Sequence, residues 1–140
     1  MKPEVQVTIT GEHCIEGQWQ EPVVTVAKGK YIFRNEAHYL QYSEQDADTG
    51  AGIRSVVRFT QEMLRVSRKG ALGSELEFIP GKRTLGVYTT GAGTVSMEMQ
   101  TEKLLLSLEE DAMEITAEYI LMAGDSQMQR SRVRIRILPL

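Results

Sequence analysis

A chain of 140 residues, 41% hydrophobic and 25% charged, has the size of one domain and can bury a core without staples. Its formal net charge of −3 argues against a duplex nucleic-acid binder, which needs a basic face, and no nucleic acid is expected as a partner. The single cysteine, Cys14, excludes an internal disulfide framework and fits a reducing cytoplasm, and no apolar stretch approaches the ~18 residues of a membrane helix.

At the N-terminus Val5, Val7 and Ile9 alternate with Glu4, Gln6 and Thr8, the period-two signature of a half-buried strand. PVVTVAKGKYIFR follows, rich in β-branched and aromatic residues, and predicts one long strand bent near Gly29. Asn35-Glu36 supplies a two-residue hairpin turn into AHYLQYSE, because Asn tolerates positive φ. Beyond the polar stretch QDADTGAG comes IRSVVRF, with Ile53, Ser55, Val57 and Phe59 on one face and Arg54, Val56 and Arg58 on the other.

Gln61-Glu62 turns this strand back into MLRVSRK, which Gly70 ends; SELEFI, a Pro80-Gly81 turn and TLGVYTT continue the meander. EMQTEKLLLSLEEDAMEI is built of good helix formers. The alternation of Leu104, Leu106 and Leu108, and a turn at Glu110-Asp111, favour strand, turn, strand instead. The last hairpin joins ITAEYILM to QRSRVRIRIL through Gly124-Asp125. Placing Glu118 opposite Arg132 sets Thr116 against Arg134 and Glu114 against Arg136. Charge then meets charge on one face while Ile115, Ala117 and Tyr119 meet Val133 and Ile135 on the other. That pairing reads the ladder Arg130, Arg132, Arg134 and Arg136 as a neutralised sheet face rather than a phosphate-binding one. About ten short strands without helical interludes predict an all-β antiparallel meander, a sandwich or a barrel, over residues 1–140.

No catalytic constellation, cofactor motif or metal site stands out. His13 and Cys14 are neighbours in an extended segment and project to opposite faces, and His38 adds only a second histidine. Glu44, Asp46 and Asp48 begin like a calcium loop, but Val57 stands where the closing glutamate belongs. The word TGAG occurs at Thr49–Gly52 and at Thr90–Gly93; each copy precedes a period-two segment and lacks the lysine of a phosphate loop. Both copies read as corners between strands.

The segments GKYIFRNEAHYLQYSE, TGAGIRSVVRF, LRVSRKGA and GVYTTGAG, in this order, resemble the YwiB-like family of uncharacterised bacterial β-barrels. The likeness runs from about Val23 onward and carries Tyr42/Glu44, Arg68/Gly70 and Tyr88/Thr90; Ala71–Phe78 keeps Phe78 but lacks the methionine expected before it. It implies a calycin- or lipocalin-like barrel of about eight to ten strands, wide enough to hold one small ligand. Tyr42, Glu44, Arg54, Arg58, Arg68, Tyr88 and Thr90 are the expected liners of a small-molecule site. The alternatives are a homodimeric interaction module, joined through a sheet edge or the arginine-rich strand, and an enzyme using an arginine–glutamate pair on an anionic substrate.

Overall fold

The computed structural model describes residues 3–45 and 50–140, and every regular element in it is a strand. In chain order these are β1 (Glu4–Ile15), β2 (Gln18–Trp19), β3 (Val23–Arg34), β4 (Ala37–Gln45), β5 (Gly52–Phe59) and β6 (Leu64–Gly70), followed by β7 (Gly73–Phe78), β8 (Arg83–Thr90), β9 (Gly93–Leu108), β10 (Met113–Ala123) and β11 (Ser126–Pro139). Consecutive strands from β3 to β11 pair antiparallel, and β1 pairs with both β3 and β11. Ten strands therefore close on themselves through the β1–β11 pairing, which covers most of the sheet edges. The short β2 folds back on the far end of β1, where Cys14 faces Trp19.

Period two decides what lies inside. On β5, Ile53, Ser55, Val57 and Phe59 are buried while Arg54, Val56 and Arg58 are exposed. The same alternation on the other strands gathers Val5, Val7, Leu40, Leu64, Phe78, Met99, Ile115, Ile135 and Ile137 into one continuous core. The Asn35-Glu36 turn forms with φ of 52° and 62°, the left-handed pair that a tight hairpin requires. Strand, turn, strand holds for the leucine-rich segment, where the Glu109 N–H bonds the Ala112 carbonyl at 2.8 Å. In the last hairpin Glu118 faces Arg132, Thr116 faces Arg134 and Glu114 faces Arg136, the register expected from charge.

Gly29 marks a change of partner rather than a bulge. Val23–Lys30 of β3 pair with β1, but only Gly29–Arg34 pair with β4. Gly29 lies so close to β4 that a Cβ there would meet the Gln41 carbonyl oxygen at 2.6 Å. N-terminal to it, β3 and β4 diverge, leaving a seam in the wall between Val23–Lys28 and Ser43–Gln45.

Candidate functional site

Alternation places a band of polar side chains inside the barrel. One row runs through cross-strand partners: Tyr42 on β4 faces Ser55 on β5, which faces Arg68 on β6, then Ser74 on β7 and Tyr88 on β8. A second row links Thr101 on β9 to Tyr119 on β10, Ser131 on β11 and His13 on β1. Between the rows lies a cavity of ≈ 310 Å³, lined by Tyr42, Glu44, Arg68, Tyr119 and His13 among apolar neighbours that include Ile9, Leu76 and Phe78. It reaches the seam, with Val23 and Thr25 on one side and Tyr42 and Glu44 on the other.

The polar groups are only partly satisfied. The Arg68 guanidinium donates to Glu44 Oε1 at 2.8 Å, and His13 Nδ1 shares a hydrogen bond with Ser131 Oγ at 2.8 Å. Arg68 Nε and the hydroxyls of Ser55, Ser74 and Thr101 are buried without a partner. An unpaired buried donor or hydroxyl costs ~1–3 kcal/mol, so three such atoms along one row (Ser55, Arg68, Ser74) make an exception that asks for an explanation.

The phenols report the same low-dielectric interior. Burial pushes the Tyr119 phenol up to about 12; the nearby Tyr88 adds to this, and a hydrogen bond with Ser131 partly opposes it. Burial likewise raises Tyr88, against the pull of Arg68. It also raises Tyr42, where Ser55 and Arg68 favour ionisation and Glu44 resists it. Ser55 Oγ lies close enough to influence Tyr42 but makes no well-aligned hydrogen bond.

A phenol raised on folding contributes stability that is complete below its unfolded pKa of about 10 and is lost as pH rises through its folded value. Tyr119 alone should forfeit about 2–3 kcal/mol between pH 10 and pH 12. Urea unfolding at pH 9 and at pH 11.5 should therefore show a smaller alkaline loss in Tyr119→Phe than in the native chain. Equal losses would remove Tyr119 as a source.

The structure sorts the expected liners. Tyr42, Glu44 and Arg68 come together at the cavity, and Tyr88 lies within electrostatic reach of Arg68. Arg54 and Arg58 point outward, because they alternate with Val57 and Phe59, whose burial assigns the other face to the core. Thr90 is exposed at the barrel end, where its hydroxyl accepts the Ala92 N–H at 3.2 Å and so steadies the second TGAG turn. Thr49, in the first copy, lies outside the described residues, as do Asp46 and Asp48 of the calcium-loop reading. Glu44, the remaining member of that set, is turned inward to Arg68.

His13 and His38 do not meet. His38 occupies a different part of the interior, stacked on Phe59 and hydrogen-bonded to the Tyr31 hydroxyl at 2.7 Å, and burial lowers its pKa. Among the described residues no three His, Cys, Asp or Glu side chains form a metal-binding group. Sequence reasoning missed Ser74, Thr101 and Ser131 as interior polar groups. The available signal was parity: Ser131 shares a face with Val133 and Ile135, and Ser74 with Leu76 and Phe78.

Fold and interior together define a closed β-barrel with a mainly apolar cavity that carries a few polar side chains. The chain belongs to the family described as a domain of unknown function (DUF1934), which matches residues 7–135. It is 26% identical over 128 residues to the uncharacterized beta-barrel protein YwiB of Bacillus subtilis (strain 168), covering 91% of this chain and 89% of that one. It superposes on the crystal structure of the ywiB protein from Bacillus subtilis with a TM-score of 0.84 at 20% identity, over 99% of this chain and 92% of the other.

Proposed function

We propose that the chain is a non-enzymatic binding protein that holds one small molecule inside the barrel, taken up through the seam between β3 and β4. The observation that carries this reading is the cluster of polar side chains that one cavity brings together, Arg68 with its ion-pair partner Glu44, Tyr42, His13 and Tyr119, where Arg68 Nε is buried without a partner. Arg68 and the phenols of Tyr42 and Tyr119 offer donors to a ligand bearing an acceptor such as a carboxylate, while Ile9, Leu76 and Phe78 meet its apolar part. A volume of ≈ 310 Å³ is at the small end of the range for ligand pockets, ~300–1,000 Å³. The single cysteine is consistent with residence in the cytoplasm.

Gly11 gives a direct test. It faces the cavity, and a Cβ built on it meets nothing within 4 Å. Gly11→Phe should occupy the cavity while keeping the barrel folded, with stability unchanged or raised by about 1 kcal/mol. Native mass spectrometry of protein purified from its own cells should show an added mass on the native chain and none on Gly11→Phe. A native chain without added mass, whose thermal midpoint no metabolite mixture raises, would end this reading.

A further inference from the structure

The outer face holds a second concentration of cations, unlike the arginine ladder of β11. In the ladder, Arg132 meets Glu118 at 3.1 Å and Glu12 at 3.6 Å, Arg134 meets Glu114 at 3.4 Å, and Arg130 meets Glu102 at 3.1 Å. On β5 and β6 the arrangement is reversed. Arg54 faces Lys69, and Arg58 faces Arg65, directly across the ladder. All four side chains are exposed, and among the described residues none reaches a carboxylate within ion-pair distance. Like charges placed directly opposite are destabilising, so this face carries two repulsive pairs that no ion pair offsets.

These four cations line an outer groove of ≈ 530 Å³ whose floor includes Val56 and Ser67. It adjoins a second groove of ≈ 680 Å³, more apolar in lining, which contains Ile32 and is rimmed by Lys30 and Arg34; the two share Tyr39, Gln41 and Val56. Tyr39 lies beneath Arg58, with the guanidinium carbon 5.8 Å from the ring centre. Ile32 and Val56 are 56% and 42% exposed, which gives the strip an apolar surface between its cations. Glu75 and Glu77 on β7 bound the cationic groove; Glu75 accepts a hydrogen bond from Ser67, and Glu77 faces Arg65 in register without pairing with it.

We infer that this face binds single-stranded nucleic acid, with phosphates along Arg54, Arg58, Arg65 and Lys69 and bases against Tyr39, Val56 and Ile32. A cationic strip beside an apolar, aromatic-bearing one matches a polymer that alternates phosphate and base. Sequence-tolerant single-strand binding rests on those two components. An acidic peptide would use the cations but has no systematic demand for the apolar strip. The overall negative charge argues against a broad basic face for duplexes, whereas a local strip serves a single strand. This inference is independent of any ligand in the barrel.

The test is fluorescence anisotropy with a labelled oligouridylate of about 12 nucleotides, within the site sizes usual for single strands. Four phosphate contacts give a salt slope near −2.8, so affinity should fall about 50-fold from about 50 mM to about 200 mM salt. Arg58→Gln/Arg65→Gln relieves repulsion and should fold at least as well as the native chain. It should nevertheless bind at least about tenfold more weakly at the lower salt, with roughly half the slope. Arg132→Gln/Arg134→Gln should leave affinity within about twofold, because those arginines are already paired. Absence of binding, an unchanged slope in the β5/β6 variant, an equal loss in the β11 variant, or equal affinity for polyglutamate or duplex would each overturn the inference.

Discussion

Gly70→Ala should destabilise the barrel by about 2–4 kcal/mol, lowering the urea midpoint and the thermal transition together. Gly70 ends β6 at φ +130°, and a Cβ there would stand 2.2 Å from the Gly52 carbonyl oxygen. That carbonyl cannot simply move aside, since it accepts the Ala71 N–H at 3.2 Å and belongs to the residue that begins β5. Two costs therefore combine: a backbone region that L-residues rarely adopt, and a backbone clash. Gly93 separates them, because it has the same φ of +130° but nothing within 4 Å of its Cβ position. Gly93→Ala should cost only the conformational part, about 1–2 kcal/mol. Chemical unfolding of both variants in parallel measures the difference. Equal destabilisation would show that the close approach of β6 to Gly52 adds nothing.

The second TGAG supplies Gly93, and this is where a suggestive word found its physical meaning. Glycine there meets a conformational demand of a turn that Thr90 steadies. Wherever one strand face was consistently apolar, the sequence carried the fold. Ile53, Ser55, Val57 and Phe59 announced their common direction, and the glutamates and arginines of the last hairpin announced their register. β2 stayed hidden because Gln18 and Trp19 are too few to show a period. The seam stayed hidden because it depends on where β3 parts from β4, which follows from barrel geometry and the close contact at Gly29. The site was partly legible for the same reason. Arg68 shares parity with Leu64 and Val66 and so points inward, whereas Arg54 and Arg58 share parity with Val56 and point out. Polarity alone placed all three inside; burial of the alternate residues decides between them.

That inward arginine gives the clearest separation of structure from binding. Arg68→Met should destabilise the chain by about 2–3 kcal/mol, because Glu44, with only 17% of its side chain exposed, would lose its cation. Breaking a fully buried pair costs ~3–5 kcal/mol; the Arg68 side chain is 34% exposed, which places this pair below that range. Glu44→Leu/Arg68→Met removes both charges and should return to within about 1 kcal/mol of the native chain, as apolar replacement of an ion pair commonly does. Stability and binding should then part company. The double variant should melt near the native midpoint yet retain none of the small molecule expected in the cavity, because the Arg68 donors beside Ser55 and Ser74 are gone. Chemical unfolding and native mass spectrometry on the three chains decide the matter. A double variant less stable than Arg68→Met would show that the pair itself holds the barrel together. One that still carries the bound mass would move the ligand's recognition away from Arg68.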